Sequence, residues 1–401
     1  MSQKDLEGFF QGFLKKESFF INKKALQSSY MPETINHREK EIKQLANILA
    51  PSLRNDKPSN IFLYGKPGAG KTLTVKHIIK NILSVAKQSS VNLNFLYLNC
   101  KLRKISDTEY RIIAQLGREL GRTIPTTGLP TEEVYKMFSD AIENKGGIII
   151  FVLDEIDQLV KKVGDEILYN LTRMNEELKK TQIGIIGISN DLKFADNLDP
   201  RVRSSLSEEK ISFSPYDAIQ LQAILKERCI LAFKEGILEE GLIEKCSAFA
   251  ASDGGDARRC LELMRVAGEI AERNNEPMLK IKHLDEAEEK IERDMVFETV
   301  LAQPKQFQAV MYSILSISKG NSYIFTGDVY NIYKTLCIKA GLRPLTQRRL
   351  TDIVAELDML GIINTKVISK GRYGRTKQIT VSLHEVVIDK IKRSLEDVLE
   401  I

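Results

Sequence analysis

Between residues 60 and 189 one texture repeats along the chain: a run of consecutive apolar residues, then a stretch with apolar positions at helical spacing. The runs are NIFLYG at 60–65, NFLYLN at 94–99, IIIFVLD at 148–154 and IGIIGIS at 183–189. A half-exposed strand alternates apolar with polar, so unbroken runs of this length fit strands buried on both faces. Helical patterns between such strands predict a parallel α/β sheet, in a first domain we place at 1–206.

Past residue 206 the pattern changes. SPYDAIQLQAILKERCILAF, EEGLIEKCSAFAAS and GGDARRCLELMRVAGEIAERN carry helical spacing and no strand-like run. The strands are therefore expected to stop and a helical domain to fill 207–294, with Ser214 and Asp256 as N-caps. A third texture occupies 295–401. Pro304 opens a helix bearing Phe307, Val310, Met311 and Ile314. Thr326 is placed to cap a second helix, ended by Gly341, and Thr346 to cap a third. That third helix sets Leu350, Ile353, Val354, Leu357 and Leu360 on one buried face before Gly361. GIINTKVIS and KQITVSL, joined by KGRYGRT, read as two strands. Three helices and a β-hairpin predict a winged helix-turn-helix.

Composition adds little to this picture, and charge adds more. The 43% hydrophobic content suits a soluble fold, and no run of eighteen apolar residues occurs. The opening MSQKDLEGFFQGFLKK reads as a short amphipathic helix through Leu6, Phe9, Phe10 and Phe13 rather than a signal peptide. A cytoplasmic protein with no membrane partner is expected. Cys100, Cys229, Cys246, Cys260 and Cys337 are far apart without a CxxC pair, so they read as packing residues rather than a disulfide framework or zinc site. From Val296 onward there are 15 Lys and Arg against 10 Asp and Glu, while the preceding residues balance 44 against 44. The whole net charge of +5 thus sits in the last quarter, a basic module on a neutral body.

GKPGAGKT at 65–72 carries the chemistry. A strand precedes it and the helix LTVKHIIKNIL follows, the context of a phosphate-binding loop made of Lys66, Pro67, Gly68, Ala69, Gly70, Lys71, Thr72 and Leu73. Its glycines let successive N–H groups point at a β-phosphate, Lys71 reaches the β- and γ-phosphates, and Thr72 offers its hydroxyl to Mg2+. In IIIFVLDEID the strand delivers Asp154 to the sheet edge, where it can join the Mg2+ shell. Glu155 can polarise an attacking water, and Asp157 reads as a helix-start residue. ATP or ADP with Mg2+ is the expected cofactor.

These residues resemble the AAA+ ATPases. Asn190 in IIGISND looks like the sensor 1 residue of that family, set between the carboxylates and the γ-phosphate. Arg258 in GGDARRCLELM looks like its sensor 2 arginine. YMPETINHREKEIKQLANIL before the loop, LDPRVRSSL after Asn190, FSPYDAIQLQAILKER opening the helical domain and the terminal winged helix sharpen the match. Over nearly the full chain they resemble the archaeal replication initiators related to the origin recognition complex and to Cdc six. That resemblance implies a AAA+ P-loop base with a parallel sheet, a helical lid and a C-terminal winged helix that binds DNA. It implies Tyr30, Met31 and Pro32 near the adenine, and Tyr216 and Arg228 of the lid on the nucleotide. One place departs from the family: where eukaryotic relatives carry an arginine finger, this chain has Ser205, with Arg201 and Arg203 left as substitutes. Ring assembly and hydrolysis activated in trans are therefore in doubt.

The resemblance also implies a DNA-touching insertion at about 101–130, where Arg118 and Arg122 flank the candidate tip GRTIPTTGLP. On the winged helix, Gln347, Arg348 and Arg349 open the third helix off its apolar face, placed to enter a major groove. From Lys366 the hairpin tip bears Lys370, Arg372, Tyr373, Arg375 and Lys377 with no acid, suited to phosphates or a minor groove. The expected function is an initiator that binds ATP and double-stranded origin DNA, hydrolyses slowly as a switch, and acts with a replicative helicase and paralogous initiators, as a monomer off DNA. Two other readings stay open: a nucleotide-locked DNA-binding regulator without useful turnover, and a clamp-loader or helicase-type machine, which Ser205 disfavours.

Overall fold

The structure is a computed structural model and describes residues 17–101, 108–125, 127–318, 324–360, 362–369, 375–381 and 385–401. The amphipathic helix expected near the amino end lies outside these residues. The chain divides into two compact units, Met1–Leu284 and Asp285–Ile401.

The first unit is built on five parallel strands: β1 (Ile61–Gly65), β2 (Leu93–Asn99), β3 (Gly147–Asp154), β4 (Thr181–Ser189) and β5 (Glu209–Phe213), ordered β2-β3-β4-β1-β5. The unbroken apolar runs follow from burial on both faces. Ile148, Ile150 and Val152 join one core with Ile61, Leu63, Ile186 and Ile188. Ile149, Phe151 and Leu153 join the opposite core with Phe62, Ile183 and Ile185. Alternate residues thus serve opposite layers, and no position of β3 from Ile148 to Leu153 is left for solvent.

The expectation that strands stop at 206 is corrected by β5. It pairs in parallel with β1, from Ile61 with Glu209 to Gly65 with Phe213. Its sequence EKISF buries only Ile211 and Phe213, as suits a strand at the sheet edge. Helices Ala218–Ala232, Leu242–Ser252 and Ala257–Arg273 follow. Asp256 caps the last of these, as expected, by accepting from the Arg258 amide at 2.7 Å. Ser214 does not cap the first. Asp217 does, in a reciprocal capping box with Gln220, three residues nearer the apolar run. The amino-terminal segment straps onto these helices: Phe20 stacks near Phe233 with ring centroids 4.8 Å apart, and the Ile21 amide donates to Ala232 O at 2.8 Å.

In the second unit the three expected helices are Lys305–Ser318, Thr326–Lys339 and Gln347–Met359. Thr326 is the first residue of its helix and Phe325 the N-cap, whereas Thr346 does cap the third by accepting from the Arg349 amide. Leu350, Ile353, Val354 and Leu357 are buried, but Leu360, the C-cap, is 46% exposed. β7 (Ile363–Ser369) and β8 (Arg375–Val381) form the antiparallel hairpin. Among the described residues the unit also holds most of the helix Ile281–Leu301, a two-residue strand β6 (Ile324–Phe325), giving the order β6-β8-β7, and a last helix, Glu385–Leu399. All five cysteines are buried. Among the described residues no helix is long and apolar enough to cross a membrane.

Candidate nucleotide site and nucleic-acid interface

A cavity of about 320 Å³ opens at the carboxyl ends of β1, β2, β3 and β4, the side of a parallel sheet where ligands bind. β1 runs directly into the glycine-rich loop. Gly68 and Gly70 have φ of 73° and 90°. A Cβ on Gly68 would lie 1.7 Å from Asp256 Oδ1, and one on Gly70 would lie 2.7 Å from the Tyr216 hydroxyl. Both positions exclude a side chain twice, through backbone conformation and through the lid residues pressed against them. Gly70 then serves as N-cap of the helix Lys71–Gln88, whose first amides and dipole face the cavity.

Lys71 is 5% exposed, and its Nζ donates to Gly65 O at 2.7 Å, Lys66 O at 2.9 Å and Asn190 Oδ1 at 2.9 Å. The structure thus joins Lys71 to Asn190 across 119 residues of sequence. Burial, and next the nearby Arg258, pull the Lys71 ammonium down to about 8, against the opposing pull of Asp154, Asp157 and Asp256. Asp154 sits at the end of β3. Its Oδ2 accepts from Thr72 Oγ1 at 3.0 Å and from the Tyr97 hydroxyl, while its Oδ1 accepts from the Glu155 amide at 3.0 Å. Burial, with Asp154 beside it, pushes the Tyr97 phenol far above its ordinary value and keeps it a donor.

Glu155 has left-handed backbone angles, φ 57° and ψ 46°, which a non-glycine residue adopts only under local constraint. Its carboxylate lies 3.8 Å from Lys101 Nζ, a partner 73% exposed and so a weak tether. Asp157 lies in the first turn of the helix Ile156–Val163, as expected, and accepts from Ser189 Oγ at 3.2 Å.

From the loop, Gly68 to Leu73 line the cavity, while Lys66 and Pro67 are exposed outside it. The other side is formed by Tyr30, Met31, Pro32, Tyr216, Arg228 and Arg258. Arg228 is 5% exposed, with its guanidinium 4.6 Å from the Tyr30 ring centroid, and burial lowers its ionisation from the ordinary value. Every nucleotide-site residue named from sequence, Lys66 and Pro67 excepted, therefore faces one cavity.

Sequence reasoning missed Arg38. This side chain is 3% exposed, donates from Nε to Ala69 O at 3.0 Å and from a terminal nitrogen to Ser214 O at 2.6 Å, and stacks 3.9 Å over the Tyr216 ring. It ties the loop to the entry of the lid. Its one local partner, Glu41 at 3.3 Å and three residues on, reads as an ordinary helix ion pair, while the loop and lid carbonyls it bonds lie 31 and 176 residues away.

The donor set fits Mg2+. Thr72 and Asp154 offer hard oxygens side by side, and that ion takes one or two protein ligands with phosphate oxygens and water. Among the described residues no group of three or more His, Cys, Asp or Glu could hold a metal by itself. Ser205 is hydrogen-bonded to Thr172 at 2.6 Å, and Arg201 is 85% exposed beside Asp199. Arg203 lies 3.8 Å from Asp196.

Of the nucleic-acid candidates, Arg118 and Arg122 are exposed at the end of the helix Glu109–Glu119 and just beyond it. Gln347, Arg348 and Arg349 are exposed in the first turn of their helix, with Arg349 3.7 Å from Asp352. Lys366 is exposed on β7 and Lys377 half-buried on β8. Lys370, Arg372 and Tyr373 lie outside the described residues, as does the side chain of Arg375.

Comparison with known proteins agrees with this arrangement. Residues 61–215 match the ATPase family associated with various cellular activities, 222–289 the Cdc6 AAA+ ATPase-type lid domain, and 298–391 the CDC6 C-terminal winged helix domain. The chain is 48% identical to the ORC1-type DNA replication protein of Pyrococcus abyssi, over 98% of this chain and 94% of that one. It is also 48% identical to ORC1-type DNA replication protein 1 of Archaeoglobus fulgidus, over 95% and 92%. The Aeropyrum pernix ORC1 protein, solved in complex with DNA, superposes with a TM-score of 0.82 at 39% identity, covering 95% of this chain and 98% of that one. With three domains matched in order and near-half identity end to end, the chain belongs to the ORC1-type DNA replication proteins of the AAA+ ATPase superfamily.

Proposed function

We propose that this chain binds ATP and double-stranded origin DNA as a replication initiator, and that slow hydrolysis switches its conformation rather than driving a motor. The observation that carries the reading is the cavity itself. Lys71, Thr72, Asp154 and Asn190 line it from the base, while Tyr216, Arg228 and Arg258 line it from the lid. A nucleotide held there touches both, so its phosphates bear on lid position. The loop amides and Lys71 would hold the β- and γ-phosphates. Thr72 and Asp154 would hold Mg2+, which neutralises charge on the phosphates. Glu155 is placed to orient water and accept its proton, and Asn190 to report the γ-phosphate. Ser205, in the place of an arginine finger, supports slow turnover. Single-turnover hydrolysis with and without duplex DNA tests this; a rate indistinguishable from the uncatalysed one favours the nucleotide-locked regulator.

For DNA, the support is the exposed Gln347–Arg349 turn, the basic hairpin and the Aeropyrum pernix relative solved in complex with DNA. The insertion with Arg118 and Arg122 is our second contact. Arg372→Ala with Arg375→Ala should flatten the slope of log affinity against log salt by about two and weaken all duplex sequences alike, because each phosphate contact releases about one counterion. Arg349→Ala should lower affinity by about 1–3 kcal/mol on the preferred site only, if that side chain reads a guanine edge. Filter binding across a salt series on preferred and scrambled duplexes checks both. Parental slopes in the double variant would turn the wing into a partner-binding surface. The proposal extends to a replicative helicase and paralogous initiators as partners, a monomer off DNA, and a cytoplasmic, nucleoid-associated location.

A further inference from the structure

We propose that Tyr97 is a positioning residue for Asp154, fixing the carboxylate in the orientation that meets a Mg2+-bound nucleotide; this deepens, and rests on, the nucleotide reading above. In the β2–β3 register Asn99 lies beside Asp154 and Tyr97 beside Val152, so the Tyr97 hydroxyl reaches along the strand direction to Asp154 Oδ2. The plane of an aspartate carboxyl turns on a broad torsion with weak preferences of its own. Here three donors settle it: Thr72 and Tyr97 on Oδ2, and the Glu155 amide on Oδ1. Thr72 must also serve the ion through its oxygen. That leaves Tyr97 and the Glu155 amide as the donors committed to Asp154, and Tyr97 is the one a side-chain change can remove.

The ring is itself held in place. Lys76, one turn beyond Thr72 on the loop's helix, sets its Nζ 4.6 Å over the Tyr97 ring. The hydroxyl therefore takes its position from the strand below and the phosphate-loop helix above. Removing one outer-shell partner of a metal ligand weakens metal binding by about tenfold or more. Phenylalanine keeps the ring, its packing and the Lys76 contact, and deletes only the donor.

The test uses the full chain and a fluorescent ADP titrated at fixed Mg2+ concentrations and in EDTA. Tyr97→Phe is expected to match the parent in EDTA within about twofold, while its half-saturating Mg2+ rises by about tenfold. An unchanged or lower Mg2+ midpoint overturns the inference, the lower one by showing that the hydroxyl competes with the ion. An equal loss in EDTA and in Mg2+ also overturns it, because a merely structural role would weaken both. A parent that binds ADP equally in EDTA and in Mg2+ overturns this inference alone, whereas a parent that binds no ADP removes the nucleotide reading and this inference with it.

Discussion

Glu155→Gln is expected to bind ATP with Mg2+ as the parent does and to hydrolyse it about 100-fold more slowly or worse, the usual effect of removing a positioned general base. The amide keeps the size of the carboxylate and can still hold a water by one oxygen. It cannot take that water's proton. The backbone gives no reason for a wider defect: residue 155 is already a non-glycine in left-handed conformation, and glutamine meets the same constraint as glutamate. The tether lost to Lys101 is exposed and worth under about 1 kcal/mol. Affinity and rate should therefore separate cleanly. Single-turnover phosphate release, beside equilibrium binding of the same ATP, measures both. A parental rate would strip Glu155 of its catalytic role and leave the regulator reading in its place.

What the sequence disclosed and what it hid divide along a physical line. The phosphate loop was legible because its chemistry needs glycines and one lysine at fixed spacing along a single stretch. β3 was legible because Ile148 to Leu153 are buried on alternating faces, which leaves an unmistakable apolar run. β5 hid because EKISF alternates exposed with buried and carries two charges, although it hydrogen-bonds along the length of β1. β6 hid because two residues show no period. Ser214 has a capping hydroxyl, but the Asp-x-x-Gln pair of Asp217 and Gln220 is the stronger capping signal because it satisfies two amides reciprocally. Arg38 was illegible for a different reason. A buried arginine bonded to backbone carbonyls looks, in sequence, like any solvated helix charge. Tyr97 carried a usable signal, its place near the carboxyl end of a parallel strand, where sites gather.

Lys71→Met should lose nucleotide affinity by about 100-fold or more, and should lose with it a pH dependence the parent has. Each charge-assisted bond to phosphate contributes roughly 1.5–3 kcal/mol, and methionine keeps the aliphatic volume while removing the ammonium. The ammonium now rests on Gly65 O, Lys66 O and Asn190 Oδ1, and burial holds it near 8. Phosphate in the cavity favours the charged form and raises that value. Below pH 8 the lysine is protonated both free and bound, and binding takes up no proton. Above pH 8 the free protein has shed a proton that binding must restore, so affinity falls as pH rises. Between pH 7 and pH 9 the parent's ADP affinity should drop by about tenfold beyond any change in Lys71→Met, whose profile cancels the titration of the ligand. Isothermal titration in buffers of different ionisation enthalpy reads the same proton directly. Parental affinity in Lys71→Met would move the phosphate site elsewhere, and a pH dependence that survives the substitution would assign the proton to another group.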